Sequence, residues 1–191
     1  CWYRKHFTLD PEHSGRRVFL HFDGAMNVAD VWLNGEFLGR HQGGWLPFGF
    51  DISDRIVAGG PNLVAVRLDN RDNPVTGPKP LPQLDFNPYH GLYRNVHLVV
   101  KDELHITDPI LADIPGGGGV FVTYPDVSTE AATVRAQVHL RNDASRGREC
   151  QVHAQLLQLA ITGRKFLAKL LLCTFRGSLQ CGDLRGQRID G

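Results

Sequence analysis

The segment 81–94, which begins inside the proline-rich stretch 70–91, holds the side chains best suited to chemistry. Asp85, Asn87 and His90 place a carboxylate, an amide and an imidazole among aromatic neighbours. Carboxylate and amide groups bind hydroxyls in pairs and aromatic rings cover the apolar face of a sugar, so this mixture is typical of a carbohydrate site. The competing interpretation is that Asp85 or Asn87 caps the loop through its own backbone. Asp85 is also a hard oxygen ligand for any cation nearby.

Trp45 is a second candidate, in the glycine-containing polar segment 39–48. An indole ring stacks on a sugar when it stands free, but such a residue more often packs at the rim of a β-sandwich. We expect Arg94 to be a strand residue with a buried partner. We expect four histidines inside strand patterns to be structural, namely His6, His21, His97 and His139.

The sequence holds no recognisable catalytic constellation. Glycoside hydrolysis usually uses two carboxylates, about 5–5.5 Å apart for retention or about 6.5–9.5 Å for inversion. The glutamates lie in turns, at strand edges or at a domain junction, and none neighbours another acid in a cleft-like context; they are Glu12, Glu36, Glu103, Glu130 and Glu149. No nucleophile elbow, His-Glu-x-x-His motif or P-loop occurs. We therefore expect this chain alone to be inactive.

Composition narrows the class of protein. The chain has 191 residues, a formal net charge of +1 and 42% hydrophobic residues, with 21 glycines and 11 prolines. A balanced charge argues against a nucleic-acid protein held by a basic field, and the apolar content argues against disorder. No apolar run reaches the roughly 18–20 residues that a membrane helix needs. Frequent turn residues favour many short elements.

Alternating apolar residues predict strands along the first half of the chain. Val18, Leu20 and Phe22 share one parity, which is typical of a half-buried strand. Asn34-Gly35 between two alternating runs predicts a type I′ hairpin, because both central positions of that turn need positive φ. The alternation resumes over 92–100 after the proline-rich stretch. These signals together predict an antiparallel β-sandwich or barrel.

A second unit is predicted from about Lys101, with strands over 104–107, 120–123, 132–140 and 150–156. The four glycines at 116–119 are interpreted as a solvated turn rather than a phosphate cradle. After Leu159 the strand pattern stops. The residues from 161 to 191 are interpreted as an anomalous tail, frameshifted or disordered. The alternatives are an irregular genuine segment and a basic helix over 163–172.

Four motifs in register resemble the N-terminal part of family 2 glycoside hydrolases, closest to the β-galactosidases. They are WYRK-x-F at 2–7, VWLNG-x-x-LG-x-H-x-GG at 31–44, PF-x-FDI at 47–52 and DF-x-x-Y-x-GLYR-x-V at 85–96. The resemblance implies an all-β chain in three parts. Residues 1–101 form a jelly-roll sugar-binding sandwich whose start is truncated, residues 102–160 begin an immunoglobulin-like sandwich, and the tail follows.

The resemblance also implies a function. Family members hydrolyse β-linked sugars with retention, using glutamates of a TIM barrel that this chain lacks. Asp85 matches an acid that contacts the substrate sugar and, in some members, a monovalent cation. The resemblance carries over Asp85 alone, as the sugar contact and the cation ligand. With Asn87, His90 and Trp45 from the composition of their segments, the predicted site is Asp85, Asn87, His90 and Trp45. No cofactor is expected in this chain, and Na+ or Mg2+ is expected only in a full-length enzyme.

The expected partners are a β-galactoside-like carbohydrate and the missing barrel domain, within a parent enzyme that self-associates. Nucleic acid and membrane are not expected partners. Two other classes of protein stay open. A stand-alone carbohydrate-binding module predicts sugar affinity without the barrel, whereas a structural sandwich for subunit contacts predicts self-association and no response to sugar.

Overall fold

The computed structural model of the chain describes residues 1–76, 90–128, 131–155, 172–176 and 189–190. Across these ranges the regular structure is fourteen β-strands and one short 3-10 turn, Pro11–His13, with no α-helix. The predicted all-β class is confirmed. No helical segment in the described part of the chain has the length and apolar character to cross a membrane.

The strands are numbered in chain order. They are β1 Trp2–Thr8, β2 Arg17–Phe22, β3 Val28–Leu33, β4 Glu36–Gln42, β5 Phe48–Asp51, β6 Pro61–Asp69, β7 Val96–Lys101, β8 Leu104–Ile106, β9 Val120–Val127, β10 Ala131–Val138, β11 Leu140–Asn142, β12 Gln151–Gln155, β13 Leu172–Arg176 and β14 Ile189–Asp190.

The chain divides into two compact units, one formed by residues 1–120 with 138–141, the other by 121–137 with 142–191. The first unit is a sandwich of two antiparallel sheets. Its front sheet has the strand order β1-β6-β3-β4 and its back sheet the order β5-β2-β7. One core joins them, because side chains from both sheets are buried in the same apolar cluster.

The alternation seen in the sequence selects the buried faces. Val18, Leu20 and Phe22 of β2 face the core, as predicted, and the ring of Phe22 stacks on that of Phe48 at 4.6 Å between centroids. Burying each such side chain contributes about 1.5–3 kcal/mol. On β3 the core positions are Ala29, Val31 and Leu33, so the residues between them lie on the outer face of the front sheet.

The Asn34-Gly35 hairpin forms where the sequence predicts it. Asn34 has φ 51° and Gly35 has φ 88°, which is the pair of positive values that a type I′ turn requires. The turn joins β3 directly to β4. Asn34 adds three side-chain bonds. Its Nδ2 donates to the Asn62 Oδ1 at 2.9 Å and to the Arg55 carbonyl at 3.2 Å, and its Oδ1 accepts from the Leu63 amide at 2.9 Å.

The last strand of the back sheet starts later than its apolar pattern predicts. The alternation begins at Leu92, but β7 begins at Val96. Gly91 adopts φ 77° and its carbonyl accepts a hydrogen bond from the Met26 amide at 3.0 Å. These contacts hold residues 91–95 as a loop, so the apolar Leu92 packs on the core from outside the ladder.

Residues 104–119 pack on the outer face of the back sheet. The His105 ring lies edge-on to Phe19 at 5.9 Å, and Phe19 is only 7% exposed. Gly119 closes the segment, because its amide donates to the Thr107 Oγ1 at 2.8 Å. Gly116, Gly118 and Gly119 have positive φ. The four-glycine segment is therefore a turn.

The second unit consists of short antiparallel pairs. β10 lies between β9 and β14 in one sheet, and β12 pairs with β13. Two pieces of the predicted tail are thus strands, β13 and β14. The rest of the tail, including residues 163–171 of the basic helix considered from the sequence, lies outside the described residues.

Candidate functional site

Three connections meet at one end of the first sandwich, which we call the loop end. The chain crosses between the sheets over residues 23–27 and 43–47, and the long stretch 70–95 joins β6 to β7. The strand pairings place the ends of these connections together. In the back sheet Phe22, at the end of β2, pairs with Val96, at the start of β7. In the front sheet Val28, at the start of β3, pairs with Asp69 at the end of β6 and with Gln42 at the end of β4. Trp45 and His90, predicted from separate segments, therefore lie in connections that leave the same end.

Trp45 is held at the rim of the loop end by Tyr93. Their rings meet edge to face, with 6.3 Å between centroids and 71° between planes. The Tyr93 hydroxyl donates to the Gly44 carbonyl at 2.6 Å, which fixes the segment that carries Trp45. Trp45 keeps 37% of its surface exposed. It therefore packs at the rim and also presents part of its indole to solvent, which combines both sequence-based interpretations.

Arg94 ties the same connections together. Its Nη1 donates to the carbonyls of Asp23 at 3.3 Å and Trp45 at 3.4 Å. Its guanidinium also lies 5.2 Å from the centre of the Tyr93 ring, within the range of a cation–π contact. Gly24 passes close beneath, because a Cβ there would lie 2.9 Å from the Tyr93 hydroxyl. Arg94 positions its neighbours from a loop, and not from the strand that the sequence predicts.

His90 is tied to the end of β6 by a side-chain contact. Its Nδ1 lies 2.9 Å from the Asn70 Nδ2, within hydrogen-bond distance. His90 is exposed, so its imidazole is accessible at the loop end. Asn70 was missed by the sequence analysis, and no local pattern marks it, because it meets His90 only when the loop closes.

Asp85 and Asn87 lie outside the described residues. Before them in the chain, Asn73 closes a local turn, since its Oδ1 accepts from the amides of Val75 at 3.0 Å and Thr76 at 2.9 Å. After them, Gly91 lies against Tyr3 of β1, whose hydroxyl would meet a Cβ at 2.3 Å. The stretch is therefore attached to the sandwich at its Gly91 end.

Two buried polar groups behind the loop end were also missed. Within the described part of the chain, the Asn27 Oδ1 and the His41 Nε2 have no hydrogen-bond partner. The Gly43 amide donates to the Asn27 carbonyl at 3.0 Å, and the His41 ring stacks on Phe48 at 4.1 Å. Burial lowers the pKa of His41, although a hydrogen bond with the Gly43 backbone opposes that shift. His41 is therefore a neutral packed ring.

The histidines of the back sheet have structural partners. The His97 Nε2 lies 3.0 Å from the Asp23 Oδ2, and the His21 Nδ1 lies 3.5 Å from the Asp108 Oδ2. His139 contacts the Thr107 hydroxyl at 2.9 Å through Nδ1. Across the described ranges, no group of three or more His, Cys, Asp or Glu side chains is placed to hold a metal ion. Asp85, the expected cation ligand, is not among those residues.

Comparison with known proteins gives a consistent result. Residues 1–102 match the family model described as glycosyl hydrolases family 2, sugar binding domain. The chain is 44% identical over 112 residues to a β-galactosidase of Thermoanaerobacter pseudethanolicus, which covers 56% of the chain and 14% of the relative. It is 37% identical over 171 residues to a β-glucuronidase of Bacteroides fragilis, covering 87% of the chain and 22% of the relative.

A solved structure, a β-glucuronidase from glycoside hydrolase family 2, superposes with a TM-score of 0.70 at 27% identity, over 98% of this chain and 19% of that one. The chain therefore spans less than a quarter of the length of these relatives. The match to the family model covers more than half of the chain, in the unit that carries the loop end. The chain belongs to glycosyl hydrolase family 2, and its first 102 residues are the sugar-binding domain of that family.

Proposed function

We propose that this chain is a non-catalytic part of a retaining β-galactosidase-like glycosidase and that its loop end contacts the sugar unit of the substrate. The observation that carries the proposal is the convergence of Trp45 and His90 at one end of the sandwich, where the chain leaves β6 and returns to β7. Membership of the family and the name of the Thermoanaerobacter relative support the choice of substrate class.

Each group has a role that its chemistry suits. The exposed part of Trp45 covers the apolar face of a pyranose ring, while the imidazole of His90 forms a hydrogen bond with a sugar hydroxyl. Asp85 and Asn87 supply the carboxylate and amide that bind hydroxyls in pairs. Tyr93 and Arg94 position Trp45, because their hydrogen bonds fix the backbone on either side of it.

The hydrolytic step is assigned to other parts of the enzyme. A retaining mechanism needs a carboxylate nucleophile and a second carboxyl group as acid and base. The sequence of this chain holds no glutamate pair in a suitable context. In this proposal the chain contributes binding and orientation, which lower the barrier only when the reacting groups are present.

The experiment compares two methyl glycosides and one chromogenic substrate on the purified chain. Methyl β-galactoside should bind weakly, with a dissociation constant of about 1–10 mM, because few contacts are available. It should bind more tightly than methyl β-glucuronide if the proposed substrate class is right. Nitrophenyl β-galactoside should not turn over. A stronger response to the glucuronide would contradict the substrate class, and sustained turnover that Asp85→Ala abolishes would contradict the non-catalytic role.

A further inference from the structure

The outer face of the front sheet carries an organised row of aromatic rings. Trp2 on β1, Trp32 on β3 and Phe37 on β4 follow one another, with 5.2 Å between the centroids of each neighbouring pair. In the register, Ala65 of β6 lies opposite Trp32, and its small side chain leaves room for Trp2 to lean toward Trp32. Trp2 is 54% and Phe37 53% exposed. Three adjoining rings make a continuous apolar strip rather than scattered exposure.

A charged row runs beside the aromatic one. Asp30 of β3 pairs in register with Arg67 of β6 on one side and Arg40 of β4 on the other. The Asp30 carboxylate is buried, accepting from the Arg40 Nε at 2.6 Å and the Arg67 Nε at 3.0 Å. The Arg40 bond is the main cause that lowers the pKa of Asp30. The carboxylate thus holds both guanidinium groups in place, while each Arg side chain remains about half exposed.

The net charge of this face is positive. Two arginines share one carboxylate, and Arg4 lies opposite Ala65 in the aromatic row and adds a further positive charge. In the next row, Asp69 is neutralised by Arg71, whose Nε lies 2.9 Å from the Asp69 Oδ1. The face therefore combines an apolar strip with guanidinium groups whose fork geometry suits carboxylates.

The two sheets differ in how their outer faces are used. On the back sheet, Phe19 is covered by residues 104–119 and is 7% exposed. On the front sheet, Trp2 and Phe37, the two ends of the aromatic row, each keep more than half of their surface exposed. The planes of Trp2 and Trp32 differ by 35°, and those of Trp32 and Phe37 by 53°. The three rings are therefore tilted against one another rather than coplanar.

We propose that this face is a second carbohydrate-binding surface, separate from the loop end, and that it takes an oligosaccharide carrying uronic acid groups. Pyranose rings stack on Trp2, Trp32 and Phe37, and the sugar carboxylates contact Arg4, Arg40 and Arg67. The net positive charge of this face and its positioned, half-exposed guanidinium groups favour an acidic sugar chain over an apolar protein segment, because guanidinium groups bind carboxylates.

The test measures binding of hexagalacturonate and of neutral cellohexaose to the purified chain by calorimetry at low salt. The acidic ligand should bind, and its affinity should fall as salt screens the arginines. The neutral ligand should bind at least tenfold more weakly. Equal affinity for the two ligands, or no binding of hexagalacturonate up to about 10 mM, would overturn the proposal.

Exposed positions supply variants that keep the fold. Phe37→Ala and Trp2→Ala should each weaken hexagalacturonate binding about threefold to tenfold, the size of one aromatic contact. Arg4→Gln should reduce the affinity for the acidic ligand and its salt dependence together. Tyr124→Ala, at an exposed aromatic in the second unit, is the matched control and should change binding less than twofold.

Two further readouts separate this surface from other occupants and from the loop end. Trp45→Ala should leave hexagalacturonate binding unchanged. The proposal for this face can therefore fail without the function proposed for the loop end failing, and the reverse also holds. Sedimentation at several concentrations tests a second copy of the chain as the occupant. Self-association that Phe37→Ala abolishes would contradict the carbohydrate assignment. The same sedimentation behaviour for the unaltered chain and the Phe37→Ala variant would support it.

Discussion

At the scale of single residues, Trp45 is the group on which the proposed sugar contact depends most. Its neighbour Leu46 is even more exposed, but its aliphatic side chain has no flat ring to stack on a sugar. Trp45→Ala should weaken methyl β-galactoside binding about threefold to tenfold because one ring contact is lost. Leu46→Ala, one position along the same loop, should leave it unchanged. Calorimetric or NMR titration measures both, and equal effects would show that the loop acts only through its shape.

His41 links the loop end to stability. Its pKa is lowered by burial, so the unfolded chain binds the proton more readily than the folded one. The contribution of His41 to the free energy of unfolding should therefore be fully present above pH 6.5 and should be lost progressively as the pH falls below that value. His41→Phe keeps a ring against Phe48 and should make the decline between pH 7.5 and 5.5 shallower. Urea unfolding at each pH, followed by tryptophan fluorescence, measures this.

His6 supplies the comparison for that series, because it is an exposed histidine on β1 of the same unit. His6→Phe should leave the pH dependence of unfolding as it is in the unaltered chain. If the free energy of unfolding of the His41→Phe protein falls with pH as steeply as that of the unaltered chain, His41 does not contribute to the loss of stability in acid.

The residues of the site illustrate what sequence can and cannot predict. The mixture of polar and aromatic residues over 81–94 suggested His90, and the aromatic in a glycine-containing segment suggested Trp45. Asn70, Asn27 and the positioning role of Arg94 were not predicted. Each depends on a contact between loops that are distant in sequence, such as the Arg94 bond to the Trp45 carbonyl across 49 positions. No local pattern encodes that closure.

At the scale of elements, period-2 patterns and turn chemistry predicted the first sandwich well. The hairpin at Asn34-Gly35 is a direct test of that logic. Gly35→Ala should destabilise the first unit by roughly 1–2 kcal/mol, since an L side chain is disfavoured at φ 88°. Thermal unfolding followed by tryptophan fluorescence reports this unit, because Trp2, Trp32 and Trp45 all lie within it.

Glu36→Ala is the control for that substitution. It lies next to Gly35 and its exposed carboxylate faces Arg55 at 3.5 Å, a surface pair that contributes little. If both variants melt at the same temperature, the turn conformation does not determine hairpin stability. The start of β7 shows the limit of such patterns, because the position of Leu92 was decided by loop contacts and not by its parity.

At the scale of the whole molecule, the match to the family model and the first compact unit cover nearly the same residues, 1–102 and 1–120. The family was predicted from four motifs in register, whose described residues lie on strands and loops of one sandwich. The second unit was harder to predict, since β14 pairs with the much earlier strand β10 and neither β13 nor β14 has a strong periodicity of its own.

The most direct measurement is a map of backbone amide shifts in the isotope-labelled chain during titration with methyl β-galactoside. If the loop end is the sugar-contacting site, the shifts should be largest over residues 43–47 and 90–94, with small changes at Phe37 and Trp2. The monosaccharide carries no carboxylate, which keeps it from the arginine face. Shifts confined to the second unit, or no shifts at saturating sugar, would contradict the account.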